Sequence, residues 1–383
     1  MPGLLPNVDP DGLLEYSVVY TDRALNHMSK KFQQVMLDMA SMLEEVYGAH
    51  AAVVMPGSGT FGMEAVARQF AHDKKVLVIR NGWFSYRWSQ IFEMGRIPST
   101  EIVLKARRLS PGAQQPFVPA PIDEVVATIR RERPALVFAP HVETASGMIL
   151  PEDYMKQLGA AVHEVGGLFV LDCIASGAMW VDMRSVGADI LISAPQKGWT
   201  GSPGFAYVMF SESARKAIEG TTSSSFACDL KKWLQIMQAY KDGGHAYHAT
   251  MPTDALTQTR DVMAETKALG FHRLLDAQRE LGSRVRRLLE RHGYPSVAAE
   301  GFQAPGVVVS YTNDADVSSS KAFAALGLQT AAGVPLQCDE GPDFRTFRIG
   351  LFGLDKLQNL DRTVRTLEQA LERIVGDRQS RGG

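Results

Sequence analysis

The sequence predicts an α/β fold with a mostly parallel sheet flanked by helices, followed by a smaller α+β domain. Three observations predict it. Short, nearly continuous apolar segments alternate with segments of helical spacing in the first two thirds of the chain, as in parallel strands covered by helices on both faces. Beyond about residue 256 a long helical segment precedes two further apolar segments. The chain of 383 residues is also longer than one hydrophobic core usually supports.

The first part of the chain supplies the strands and helices of a sheet of the seven-stranded type. The predicted strands are residues 51–55, 75–79, 135–139, 168–172 and 189–194, with 204–211 as a further strand that would close the sheet. The predicted helices are residues 25–47, 61–71, 83–95, 122–132 and 152–165. Each strand is short and rich in branched apolar residues, which is typical of a strand buried on both faces.

The last third of the chain predicts the smaller domain. It contains a helical segment from 257 through 290, apolar strands at 306–312 and 346–352, and helices near 318–326 and 355–374. The first residues are rich in Pro, Asp and Gly, which resist both helix and strand. We therefore expect an N-terminal arm (1–24), a large cofactor-binding domain (25–256) and a small C-terminal domain (257–383).

Composition excludes several classes of partner. Lys and Arg number 40 against 42 Asp and Glu, a net charge of −2, which argues against nucleic acid or an anionic membrane. No apolar run reaches the ~18 residues that span a bilayer, and the first residues lack the pattern of a secretory signal. The cysteines, Cys173, Cys228 and Cys338, are far apart and form neither a zinc-like pair nor a disulfide framework. These features predict a cytoplasmic protein with no metal site.

The segment SAPQKGWTGSPG (193–204) points most directly to chemistry. Lys197 follows a predicted buried strand and is surrounded by small, turn-forming residues. In open α/β sheets, ligands bind in the crevice at the carboxyl ends of the strands. A lysine in such a crevice is desolvated, which favours the neutral amine that Schiff-base chemistry needs. Taken alone, Lys197 has an ordinary alternative as a solvated surface lysine.

Asp172 ends the apolar segment LFVLD, 25 residues before Lys197. A carboxylate at the end of a fully apolar strand is costly unless a cation accompanies it. The protonated ring nitrogen of a pyridine cofactor is such a cation. An aspartate at this position also occurs as a helix cap or as a ribose ligand.

The segment MPGSGTFGMEAVARQF (55–70) predicts an anion site where a strand turns into a helix. The backbone amides near Gly59 and Thr60 would point toward a phosphate. The alternative is an ordinary strand-to-helix turn. Dinucleotide-binding and P-loop interpretations are excluded, since the segment contains neither G-x-G-x-x-G nor G-K-[ST].

Taken in order, these and other segments resemble the class V aminotransferases of fold type I, and most of all their alanine/serine–glyoxylate or pyruvate branch. The matching segments are GSGT, NGWFSYR, HVETASG, LDCIAS, SAPQKGWTGSPG, AYHATMP and FRIGLFG. The resemblance extends from about residue 25 to near the C-terminus. It implies pyridoxal 5′-phosphate (PLP) as the cofactor, transamination as the reaction, and a homodimer with shared active sites.

The resemblance also implies a role for each residue that matches a motif. Lys197 would hold PLP as a Schiff base and shuttle the proton during transamination. Asp172 would pair with the ring nitrogen, and Ile174 would pack under the ring. Phe84 would stack on the other ring face, with the neighbouring Trp83 as the alternative.

Other matching residues would bind the rest of the cofactor and the substrate. Thr144 would bind the phenolic oxygen, and Arg348 would bind the substrate α-carboxylate, its alternative being an ion pair at a strand edge. His141 and Glu143 share the loop of Thr144 and receive no defined role. The residues expected around the phosphate are Ser58, Gly59, Thr60 and Gln196, with Tyr247 and Thr250 reaching it from the neighbouring subunit.

The expected activity is transfer of an amino group from a small amino acid, of the alanine or serine type, to glyoxylate or pyruvate. The N-terminal arm departs from the Gly-Pro-rich loop of the family, so the donor stays open. One alternative is transamination between 2-aminoethylphosphonate and pyruvate. Another is a PLP lyase similar to the cysteine desulfurases, with Cys338 as the catalytic thiol. A third is a binding protein of the same fold without enzymatic activity.

Overall fold

The computed structural model describes the backbone of residues 13–382 and the side chains of residues 13–376. Its largest feature is a seven-stranded mixed sheet. The strands are β1 (Ala51–Pro56), β2 (Lys75–Arg80), β3 (Thr100–Lys105), β4 (Leu136–Pro140), β5 (Leu168–Asp172), β6 (Ile190–Ser193) and β7 (Phe205–Phe210). Their order across the sheet is β1-β7-β6-β5-β4-β2-β3. Strand β7 is antiparallel to both neighbours, and the other adjacent pairs are parallel.

Helices cover this sheet and fill the connections between its strands. They are α1 (Lys30–Tyr47), α2 (Gly59–Phe70), α3 (Trp83–Gly95), α4 (Ile122–Glu132), α5 (Glu152–Glu164), α6 (Met183–Val186), α7 (Glu212–Ala217) and α8 (Leu230–Lys241). Every residue of β4, β6 and β7 is buried, which explains why these strands appear in the sequence as continuous apolar segments. One large hydrophobic cluster joins the sheet to the helices that cover it.

A second, three-stranded antiparallel sheet lies in the last third of the chain. Its strands are β8 (Val307–Tyr311), β9 (Ala331–Ala332) and β10 (Thr346–Gly350), in the order β8-β10-β9. The accompanying helices are α9 (Thr253–Leu269), α10 (Phe271–Arg291), α11 (Ala315–Ser318), α12 (Lys321–Ala324), α13 (Leu354–Gln358) and α14 (Leu360–Gly382). Helix α10 contacts both β8 and α14, and a second hydrophobic cluster is centred on these elements.

The α/β class with its mostly parallel sheet is confirmed, but several element boundaries differ from the prediction. Strand β3 was not predicted, because its residues are exposed or half-buried and its ends are polar. The predicted helix over 257–290 is two helices, separated at Gly270, whose φ of 94° few other residues adopt.

The division of the chain after residues 24 and 256 stays a prediction. The start of the predicted arm, residues 1–12, lies outside the described residues.

This topology brings the predicted functional segments to one edge of the main sheet. The carboxyl ends of β1, β2, β4, β5 and β6 meet there, because these strands run in the same direction. A residue just beyond any of them therefore faces the crevice where ligands of such sheets bind. No helix within the described part of the chain is long and apolar enough to cross a membrane.

Candidate active site

Asp172 lies at the end of β5 with only 6% of its surface exposed. Its Oδ1 accepts a hydrogen bond of 2.9 Å from the backbone N–H of Ile174. Burial raises the pKa of Asp172 to about 7, although the Ile174 N–H opposes this, and the nearby Glu143 carboxylate adds to the rise. The site therefore holds a buried carboxylate that needs a cationic partner to stay ionised.

Lys197 lies in the turn that follows β6, and its amine is directed toward the same edge of the sheet. Its Nζ is 5.3 Å from the centre of the Phe352 ring. Burial lowers the pKa of Lys197, the Arg348 and Arg87 guanidinium groups lower it further, and Asp172 opposes the change. An amine with a lowered pKa is more often neutral at physiological pH, which suits a nucleophile.

The first turn of α2 forms an anion cradle at the end of β1. Ser58 precedes the helix in an extended conformation, and its side chain does not cap the helix, so the first amides are left for a ligand. A β-carbon on Gly59 would lie 2.6 Å from Cδ1 of Ile174, which shows how closely this turn approaches the end of β5. Arg87 Nη1 donates a hydrogen bond of 3.0 Å to Thr60 Oγ1 and adds positive charge to the cradle.

Phe84 lies in the first turn of α3, and two guanidinium groups are close to its ring. The Cζ of Arg87 is 5.1 Å and the Cζ of Arg348 is 5.7 Å from the centre of its ring. Trp83, the alternative stacking residue, instead has its ring 5.6 Å from that of Tyr86. These contacts support Phe84 as the aromatic residue of the site.

Arg348 lies in β10 of the smaller sheet, and its guanidinium reaches the Phe84 ring. Its Nε donates a hydrogen bond of 2.8 Å to the Ala332 carbonyl. Among the described residues it forms no salt bridge, so the alternative interpretation as an ion pair at a strand edge has no support. The rest of its guanidinium is therefore left for an anionic ligand.

Some of the predicted cofactor ligands lie apart from this cluster. The Tyr247 hydroxyl is 3.0 Å from Thr250 Oγ1, and the Tyr247 ring packs 5.6 Å from that of His27. Both Tyr247 and Thr250 are exposed, as is Gln196. Thr144 is half-buried in the loop after β4. Among the residues that the structure describes, the contacts of Tyr247 and Thr250 do not extend to the cluster around Lys197.

Two residues that received no role from the sequence belong to the cluster. Arg87 follows Phe84 by three residues, and that spacing places both on one face of a helix. The spacing alone could therefore have indicated Arg87 as a site residue. Glu143 is fully buried and accepts hydrogen bonds from the first turn of α3. No local pattern in the sequence indicates that contact.

The residues of the site fit PLP. A ring nitrogen that carries a proton would neutralise Asp172, whose carboxylate accepts one hydrogen bond among the described residues, from the Ile174 N–H. The phosphate would take the amides of the α2 turn and the Arg87 guanidinium, and Phe84 and Ile174 would lie on the two faces of the ring. The desolvated amine of Lys197 is the group that would bind the cofactor aldehyde.

Comparison with known proteins agrees with this chemistry. The family model described as aminotransferase class V matches residues 13–317. A 2-aminoethylphosphonate–pyruvate transaminase of Paraburkholderia phymatum is 28% identical over 365 residues, covering 92% of this chain and 90% of the relative.

Two solved structures show the same fold. The pyridoxamine–pyruvate aminotransferase of Mesorhizobium loti has a TM-score of 0.75 at 17% identity, covering 97% of this chain and 90% of that one. The alanine–glyoxylate aminotransferase of Nostoc has a TM-score of 0.73 at 20% identity, covering 90% of this chain and 88% of that one. The predicted family, enzyme class and cofactor are thus confirmed: this chain belongs to the class V aminotransferases, fold-type I enzymes that use PLP.

Proposed function

We propose that this enzyme transfers the amino group of a small amino acid, of the alanine or serine type, to pyruvate or glyoxylate. The observation that carries the proposal is the position of Arg348. Its guanidinium lies near the Phe84 ring, and its charge acts on Lys197. A planar guanidinium binds a carboxylate through two parallel hydrogen bonds, so Arg348 would hold the carboxylate of either substrate beside the reactive amine.

The roles of the chain's own residues follow from this arrangement. PLP supplies an aldehyde that reacts with amines and a ring that accepts the electron pair released at the substrate Cα. The neutral amine of Lys197 would take the proton from that Cα, since burial keeps its pKa low. Asp172 would keep the ring nitrogen protonated, and Phe84 would fix the plane of the ring.

A second candidate donor is 2-aminoethylphosphonate. The relative from Paraburkholderia phymatum carries that activity in its name and aligns with 92% of this chain. The guanidinium carbon of Arg348 is 5.7 Å from the centre of the Phe84 ring. A phosphonate is an anion that this guanidinium would accept in place of a carboxylate.

A panel of donors tests both candidates. The purified holoenzyme is mixed separately with alanine, serine and 2-aminoethylphosphonate, and the absorbance of the bound cofactor is followed. A donor that is used should bleach this absorbance, and added pyruvate or glyoxylate should restore it. The Lys197→Ala variant is the control and should show no cycle. Failure of all three donors to bleach the holoenzyme would contradict the proposal.

We propose further that the enzyme works as a homodimer with shared active sites. Tyr247 is 54% exposed and Phe226 is 78% exposed, so both leave apolar surface that a partner subunit would cover. In a dimer, Tyr247 and Thr250 would reach the phosphate cradle of the partner subunit. This explains why, within one chain, their contacts do not extend to their predicted ligand.

Subunit mixing tests the shared site. Lys197→Ala and a Tyr247→Phe/Thr250→Ala double variant should each be nearly inactive alone. In mixed dimers, one of the two sites combines an intact Lys197 with an intact Tyr247 and Thr250. Since half of randomly mixed dimers are mixed, about one quarter of wild-type activity should return. No recovery in subunits shown to exchange would refute the shared site.

Cys338 does not support the desulfurase alternative. Its side chain is buried, and its Sγ donates a hydrogen bond of 3.3 Å to the Arg80 carbonyl. Burial raises the pKa of Cys338 to about 12, whereas a thiol nucleophile must ionise near neutral pH.

A cytoplasmic location is also part of the proposal. Cys173, Cys228 and Cys338 are all free and buried, which is typical of proteins kept in a reducing compartment. Cell fractionation followed by immunodetection would test it.

A further inference from the structure

We propose that Glu143 is a positioning residue of this active site: its buried carboxylate holds the first turn of α3 and thereby fixes Phe84 and Arg87. The inference rests on the proposed function, because Phe84 and Arg87 matter for catalysis only if they face the cofactor. Glu143 itself lies in a two-residue strand, Val142–Glu143, shortly after β4, and thus belongs to a different element from the helix it holds.

The Glu143 carboxylate accepts four hydrogen bonds from the protein. Oε1 accepts from the backbone N–H of Phe84 at 3.2 Å and from that of Ala145 at 2.9 Å. Oε2 accepts from the backbone N–H of Ser85 at 2.9 Å and from the Ser85 hydroxyl at 2.6 Å. Glu143 is fully buried, so these bonds replace the water that a carboxylate would otherwise bind. All four partners are donors, and therefore an ionised carboxylate matches them better than an amide.

Helix α3 needs such an external cap. The first amides of any helix lack partners within the helix, and the residue before α3 is Gly82, which has no side chain to cap them. The negative charge of Glu143 also lies at the positive end of the helix dipole. A β-carbon on Gly82 would lie 2.7 Å from Cγ of Glu143. The glycine thus allows the helix start to approach the carboxylate closely.

The same turn carries two residues of the site. The backbone N–H of Phe84 donates directly to Glu143, and the guanidinium carbons of Arg87 and Arg348 are 5.1 Å and 5.7 Å from the centre of the Phe84 ring. Arg87, one turn further along α3, donates to Thr60 in the anion cradle. If the start of α3 loosens, the aromatic ring and the guanidinium move together. Glu143 therefore acts on two cofactor contacts through one turn of helix.

The test uses the Glu143→Gln holoenzyme, with Asp189→Asn as the matched control. Asp189 is also buried and accepts a backbone N–H, that of Phe169, at 2.9 Å, but it lies just before β6, at the amino end of that strand. Equilibrium dialysis gives the Kd for PLP, the circular dichroism of the bound cofactor reports its orientation, and thermal unfolding gives the Tm.

We expect Glu143→Gln to raise the Kd by about tenfold, the equivalent of ~1.4 kcal/mol and of one lost hydrogen bond. We also expect it to change the cofactor circular dichroism. Asp189→Asn should lower the Tm while leaving the Kd and the dichroism at wild-type values. In a Phe84→Ala background, Glu143→Gln should weaken PLP binding by a smaller factor than in the wild type, because the two residues act through one contact.

The outcomes separate this inference from the proposed function. If Glu143→Gln lowers the Tm but keeps the wild-type Kd and dichroism, the residue is only structural and the inference is wrong. If Glu143→Gln raises the Kd by the same factor in the Phe84→Ala background as in the wild type, the inference is also wrong. If the wild-type holoenzyme shows no half-reaction, the proposed function fails instead. Should Glu143→Gln not fold, Ser85→Ala removes one of the four donors and should raise the Kd by a smaller factor.

Discussion

Replacing Asp172 with asparagine should change how the stability of the cofactor-free protein depends on pH. The substitution removes the charge but keeps the shape, and the Oδ1 of asparagine can still accept the hydrogen bond from the Ile174 N–H. Since Asp172 is 6% exposed, the charged form has almost no contact with water. Neutralising the side chain should therefore relieve a desolvation cost wherever the wild-type group is ionised.

The sign and size of this pH dependence follow from the pKa of Asp172 in the folded and unfolded states. In the unfolded chain Asp172 has the ordinary value of 3.8, and burial in the folded protein raises its pKa to about 7. The folded state thus binds the proton more tightly, so this group's contribution to stability is complete below about pH 4 and is lost as pH rises to about 7. The difference in pKa corresponds to at most ~4 kcal/mol of unfolding free energy.

Urea unfolding of the cofactor-free proteins between about pH 5 and pH 8 measures this contribution. Wild type should lose stability relative to Asp172→Asn as pH rises, and the variant should be the more stable at about pH 8. The Asp189 carboxylate has the opposite sign and titrates below this range, so through that group the difference between wild type and Asp189→Asn should stay constant between about pH 5 and pH 8. Burial raises the pKa of Asp189, but hydrogen bonds from His163 and from the Phe169 N–H outweigh burial and lower it, so its stabilisation is present above the unfolded pKa and lost in acid. A constant difference between wild type and Asp172→Asn across this range would refute the reasoning.

Three further outcomes are expected. Lys197→Ala should bind PLP without a covalent bond, so borohydride reduction followed by mass spectrometry should find the cofactor attached to wild type only; attachment in the variant would place the reactive lysine elsewhere. Arg348→Lys should raise the KM for pyruvate by about 100-fold, since hydrogen bonds between charged groups are worth ~1.5–3 kcal/mol and lysine cannot form the paired bonds; an unchanged KM would remove Arg348 from the substrate site. Cys338→Ser should keep transaminase activity, because a hydroxyl can still donate to the Arg80 carbonyl; loss of activity in a folded variant would show that the thiol has a role in the reaction.

The main elements of the fold could be predicted because their signals are local. The buried strands are continuous apolar segments, and the helix over 122–132 was predicted at the bounds the structure has. Strand β3 escaped prediction because it is at the edge of the sheet and is nowhere fully buried. The break at Gly270 also escaped, since the helical spacing continues on both sides of it. The spacing of apolar residues cannot indicate that one residue with positive φ ends a helix.

The candidate site divides in the same way. Asp172 and Lys197 could be predicted from the sequence because they lie at the end of an apolar strand and in the turn after one, and because the order of the motifs predicted the family and the cofactor. Only the tertiary structure brought Arg348 from the second sheet to Phe84, and Glu143 to the first turn of α3. Those contacts join residues that are 264 and 59 positions apart. Such contacts depend on the path of the chain and on which side chains become buried. The local spacing of residues in the sequence predicts neither.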